Sequence, residues 1–175
     1  MTTIIKQNIS NNPTPPRVRV LGPDDGEITG KPGTFHDRFM VPAEVSSGNF
    51  ALIEHLIPPR VLAAPLHRHS REDEYSYVLE GRVGAVFGGE EIFANAGELV
   101  FKPCGEWHTF WNAGDVPLRI LEIISPGGFE EAFREIDALG DALTPERMVE
   151  IATKYGVEVD FDGTAPIMER HGLSM

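Results

Sequence analysis

Between residues 64 and 124 the chain runs in short alternating stretches cut by glycine and proline, with no helical period between them. Arg82-Val83-Gly84-Ala85-Val86-Phe87 and Glu90-Glu91-Ile92-Phe93-Ala94 flank Gly88-Gly89, a strong signal for a two-residue hairpin. Tyr75 to Leu79, Glu98 to Lys102, Trp107 to Trp111 and Arg119 to Ile124 read as further strands, separated by Glu80-Gly81, Asn95-Ala96-Gly97 and Pro103. Many short strands in succession without interleaved helices favour a sandwich or barrel over a parallel sheet.

The flanks extend this plan. Residues 1–16 are polar and end in Asn11-Asn12-Pro13-Thr14-Pro15-Pro16, a composition that buries little and reads as a flexible arm. Arg17-Val18-Arg19-Val20-Leu21 reads as a strand before the turn at Gly22-Pro23-Asp24-Asp25-Gly26, and residues 27–48 as a looser segment. In the next strand Phe50, Leu52, Glu54 and Leu56 share one face and Ala51, Ile53, His55 and Ile57 the other, until Pro58-Pro59 ends it. Beyond the strands, Phe129, Ala132, Phe133, Ile136 and Leu139 recur at helical spacing up to Gly140. Thr144-Pro145-Glu146 then opens a second helix whose stripe is Met148, Ile151, Ala152 and Tyr155, closed by Gly156. The plan is thus an arm over residues 1–16, a β-barrel over 17–125, a two-helix extension over 126–160 and a tail over 161–175.

With 27 acidic against 15 basic residues the net charge is −12, and no basic cluster stands out. Nucleic acid and an anionic membrane surface are therefore not expected partners. The opening residues lack an apolar run of signal length and no stretch approaches a membrane span, so a cytoplasmic location is expected. The single cysteine, Cys104, agrees with a reducing compartment.

The chemistry concentrates in Pro65-Leu66-His67-Arg68-His69-Ser70-Arg71-Glu72-Asp73-Glu74. On a strand, His67 and His69 point the same way, and a turn through residues 70–73 returns Glu74 beside them. Two imidazoles and a carboxylate suit a first-row divalent metal, with Glu72 and Asp73 as alternative carboxylates. The missing imidazole is His108, in the series Gly97, Pro103, Gly105, His108, Asn112. Alternation from Glu74 and His108 puts Ser76, Val78 and Phe110 on the inner face, as candidate pocket walls with His55. Tyr75, Tyr77 and Trp111 face outward, and with the helical tail suggest a homodimer interface.

These two series resemble the motifs of the cupin superfamily. His67, His69, Glu74 and Gly81 match the first motif, with Val61 where its leading glycine is expected; Gly97, Pro103, Gly105, His108 and Asn112 match the second in full. The resemblance implies an all-β, jelly-roll barrel of the small, single-domain kind. It implies one divalent metal, iron, manganese, nickel, copper or zinc, on His67, His69, Glu74 and His108. The tail is similar to that of small quercetinase-like members, which points to a metal-dependent dioxygenase acting on a small aromatic or enolisable substrate, with Glu74 also able to move a proton. Other cupins imply other readings: a non-catalytic small-ligand binder, a structural metal site, an isomerase or a decarboxylase.

Overall fold

The computed structural model describes residues 20–30 and 33–175. In chain order the strands are β1 (Glu27–Gly30), β2 (His36–Val41), β3 (Ala51–Ile57), β4 (Leu66–His69), β5 (Asp73–Glu80) and β6 (Arg82–Phe87). Next come β7 (Glu90–Asn95), β8 (Leu99–Lys102), β9 (His108–Asn112) and β10 (Leu118–Ser125). The helices α1 (Glu130–Leu139) and α2 (Pro145–Lys154) lead to β11 (Val157–Asp160) and α3 (Phe161–His171). The strands form two antiparallel sheets, of order β1-β2-β3-β10-β5-β8 and β11-β4-β9-β6-β7. No helix among the described residues is long and apolar enough to cross a membrane.

The all-β expectation and its helical extension hold, and the turn chemistry explains the local geometry. Phe87 pairs with Glu90 across Gly88 and Gly89, whose φ of 55° and 86° give the two-residue turn its mirror-image twist. Thr144 caps α2 by accepting from the Arg147 N–H at 3.3 Å. Asn112 is buried; its amide donates to the Ile57 and Val116 carbonyls and its oxygen accepts from the Gly114 N–H. That side chain staples three segments at one end of the barrel. The inner faces meet in an apolar core around Ile57, Val78, Val83, Phe110 and Ile120. A second core joins Phe39, Ile53 and Ile124 to Phe129 and Ala132 at α1 and to Ile151 and Ala152 on α2.

Three features depart from the expectations, and a further reading falls mostly outside the described residues. The arm over residues 1–16 and most of the strand over 17–21 lie outside the described residues, and Val20 and Leu21 belong to no strand. The first strands instead fall in the segment read as loose. There β2 buries Asp37 and Arg38 on opposite faces, which hides the alternation that marks a strand. Trp111 does face away from the barrel interior, but it is fully buried, packed with Leu62, Val86 and Ile167. Its cover is α3, which with β11 forms where the sequence showed only a second helix end and a tail. The strand β11 pairs with the edge of β4, Val157 opposite His69 and Val159 opposite His67.

Candidate metal centre

Three strands deliver the four candidate ligands. His67 and His69 alternate onto the inner face of β4, His108 opens β9 directly opposite His67, and Glu74 lies near the start of β5 in the facing sheet. All four are buried, and each has a ligand atom within 4.8 Å of every other. The three acids of the turn separate cleanly. Glu74 joins the imidazoles, Glu72 sits behind His69 with an oxygen 3.4 Å from Nδ1, and Asp73 accepts from the Cys104 N–H at 2.8 Å. Asp73 thereby ties the turn carrying Glu74 to the turn before His108, as does the Gly105 N–H donated to the His69 carbonyl at 2.8 Å. Gly105 takes a φ of 85° to make that approach.

The hydrogen bonds fix which ring nitrogens are available. His67 Nδ1 donates to the Pro65 carbonyl at 2.7 Å and His108 Nδ1 to the Glu106 carbonyl at 3.0 Å. A carbonyl only accepts, so both protons sit on Nδ1 and both Nε2 lone pairs are free. His69 Nε2 and His108 Nε2 each lie 3.3 Å from an oxygen of Glu74. Lone pairs facing carboxylate oxygens repel unless a cation or an added proton lies between them. Burial and the imidazoles of His108 and His69 hold His67 well below its ordinary pKa. At His69 burial also opposes charge, but Glu74 and Glu72 outweigh it and push the pKa up to about 9. Glu74 is held well below the usual carboxylate range, its burial outweighed by Lys102 and His69. Neither ring nitrogen of His69 makes a hydrogen bond of good geometry among the described residues. A buried set of two bare Nε2 atoms, an unsatisfied imidazole and an ionised carboxylate fits a divalent metal.

The cluster borders a cavity of about 270 Å³ between the two sheets, with His67 and Glu74 in its wall. Of the candidate pocket residues, His55 and Phe110 line it. Ser76 and Val78 do not: Ser76 is buried with its hydroxyl donated to Glu122 at 2.6 Å, and Val78 packs into the apolar core. They share the inner face but lie along β5, beyond the reach of the cavity. Four polar residues of this wall had no place among the sequence candidates: Asp37, Lys102, Glu122 and Asp137. Lys102 is buried with Nζ 2.7 Å from Glu74 and 3.0 Å from Glu122. Burial opposes its charge, but Glu122 and Glu74 outweigh that and raise its pKa. The signal was present in the pattern: Lys102 comes two residues after Val100 on one face, and Glu122 stands between Ile120 and Ile124. A charge on an otherwise apolar strand face needs a buried partner.

Residues 54–124 match the family model described as the cupin domain. This stretch resembles a cupin domain. It contains all four clustered residues. The chain is 37% identical over 60 residues to the tetracenomycin polyketide synthase protein TcmJ of Streptomyces glaucescens, covering 34% of this chain and 40% of that protein. It is 34% identical over 59 residues to the oxalate-binding protein of Thermotoga maritima, covering 34% of this chain and 49% of that protein. The chain therefore spans less than half the length of either relative. Among solved structures, KdgF of Halomonas sp. superposes with a TM-score of 0.57 over 66% of this chain and 99% of that one, at 13% identity. That likeness shows a shared fold alone.

Proposed function

We propose that this chain is a metal-dependent oxidoreductase of the dioxygenase kind, acting on a small aromatic or enolisable substrate held at the metal centre. The observation that carries the reading is the junction of the ligand cluster with the cavity: His67 and Glu74 stand in the wall of a hole otherwise lined largely by apolar and aromatic side chains. His67, His69, Glu74 and His108 would hold the metal, which when bound supplies Lewis-acid and redox activation of a substrate oxygen. The protein's own groups do the rest. Phe110, Phe129 and Phe133 stack on a flat substrate and limit water. Glu74, kept ionised by Lys102, takes a proton from the substrate at a carboxylate oxygen, and Lys102 steadies the anion that results. One relative bears the name of a polyketide synthase protein, and polyketides are enolisable and aromatic molecules, the substrate class named here.

A second reading has its own support. A buried lysine beside the cavity and a relative named as an oxalate-binding protein favour capture of a small anion, with or without decarboxylation or isomerisation. One experiment separates the two. Protein loaded in turn with iron, manganese, nickel, copper and zinc is presented with flavonols, diketones and enediols in an oxygen electrode. Oxygen uptake with at least one pairing supports the oxidoreductase; product without uptake supports an isomerase or decarboxylase; silence with metal retained supports a binder. The same reading gives the exposed face around Tyr77, Leu99, Phe101 and Ile123 to a second copy of the chain, tested by light scattering.

A further inference from the structure

The wall of the cavity away from the metal ligands carries a polar pair that the metal centre does not use. Asp37 on β2 and His55 on β3 are directly opposed across the sheet, and His55 Nδ1 donates to an Asp37 oxygen at 2.6 Å. Both are buried, His55 at 3% exposure, and both line the cavity. Among the described residues nothing bonds His55 Nε2, so the far nitrogen of the ring is left for whatever enters. Its neighbours are aromatic: the rings of Phe35, Phe110 and Phe133 lie 5.8, 6.2 and 5.7 Å from it. A core position would be more stable with a leucine or phenylalanine than with a buried, half-used acid and imidazole. Phe110 stands beside this pair on the cavity wall. It lies two residues after His108 on β9 and carries Lys102 Nζ 4.5 Å above its ring.

We infer that Asp37 and His55 form a second, metal-independent contact for the substrate, in which His55 Nε2 donates to an oxygen at the end of the molecule remote from the metal. This rests on the reading of the ligand cluster as a substrate-binding metal centre. It narrows the substrate class to flat molecules of one or two rings with oxygen functions at both ends, since a hole of about 270 Å³ leaves no room for more. His55 is a positioning residue: Asp37 accepts from Nδ1, fixes the orientation of the ring and favours its doubly protonated form, so that Nε2–H can donate, and the ring fixes the register of the substrate over Phe110. The charged groups around the imidazole agree with a donor role. Burial opposes its protonation, but Asp37 outweighs that together with Glu122, against Lys102 from β8, and the net shift is upward. Asp137 on α1, itself raised by burial and by Asp37, faces the same corner.

The test uses full-length protein loaded with zinc, which carries no redox chemistry of its own. Affinities are measured by calorimetry for catechol and for protocatechuate and caffeate, which keep the same diol and add a carboxylate at increasing distance. At least one of the longer probes should bind roughly tenfold more tightly than catechol, the ratio one charge-assisted hydrogen bond supplies. His55→Gln and Asp37→Asn should each erase that preference while leaving zinc content and catechol affinity unchanged. The preference should also fade in the wild type as pH rises through the titration of His55. Equal binding of all three probes by the wild type, or a preference that survives both substitutions in folded protein, overturns this inference alone. Failure of every probe to bind with zinc retained overturns it together with the metal-centred reading.

Discussion

At the scale of single residues, the carbonyls of Pro65 and Glu106 decide what His67 and His108 can do. By accepting from Nδ1 they leave Nε2 of each ring as a pure acceptor in a pocket that already contains an ionised carboxylate. Without metal, the charge shortage is met by a proton on His69. That proton stabilises the metal-free fold below the ordinary imidazole pKa, and the contribution is lost as pH rises from about 6.5 to about 9. Metal must displace the same proton. The rise in melting temperature produced by a saturating Mn(II) salt should therefore grow across that window and level off above it; a pH-independent increment would contradict the assignment. Glu72 holds the back of His69, and Glu72→Ala should weaken metal affinity by roughly tenfold or more, measured by competition with a chelator. Glu74→Gln should retain some metal while losing turnover, because an amide oxygen ligates weakly and takes no proton at that position. Unchanged turnover in that variant would remove Glu74 from the proton transfer.

Strand β9 shows how one element serves two faces. His108, Phe110 and Asn112 turn inward to the metal cluster, the cavity and the barrel end, while Trp111 turns outward beneath α3. The close fit there comes from Gly84 on β6, opposite Trp111, where an added Cβ would lie 2.5 Å from the indole. Gly84→Ala should cost about 1–3 kcal/mol in urea unfolding, since the indole is walled in and cannot give way. The strands bounded by glycine and proline turns, β3 to β10, could be read from the sequence, as could the helices α1 and α2 and the four clustered residues. The elements that escaped did so for identifiable reasons. In β2 charges on both faces replace the apolar signal, while β11 (Val-Glu-Val-Asp) is too short to show a period. In α3 the helix contains Gly163 and Pro166, residues that ordinarily argue against one, and Asp160 caps it by accepting from the Gly163 N–H at 2.8 Å. His55 could be placed on an apolar face, but its partner could not, because Asp37 lies on a strand whose register only the folded sheet reveals.

Across the whole molecule the charge is divided by the sheets. The outer side of the larger sheet carries Glu54, buried between Arg38 and Arg119, which joins β2, β3 and β10 by ion pairs. Burial opposes ionisation of Glu54, yet the two guanidinium groups outweigh it and lower its pKa. Its stabilising effect is thus present above the ordinary carboxylate pKa and lost as pH falls through the folded value. Glu54→Gln should destabilise the protein by about 2 kcal/mol at neutral pH, and the difference from wild type should shrink in acid. A difference that stays constant down to the acid transition would assign the effect to packing instead. Inside the barrel the ligands fall between His67 and His108, whereas much of the cavity wall comes from Phe129, Phe133, Ile136, Met148, Val157, Val159 and Met175. A large part of the mould is thus written in a stretch of the gene separate from the candidate ligands. Mutation can then reshape the mould without touching the reactive centre, so proteins sharing this barrel can drift to new substrates through changes confined to their C-terminal extensions, and a chimera exchanging residues 126–175 is the shortest laboratory route to the same change.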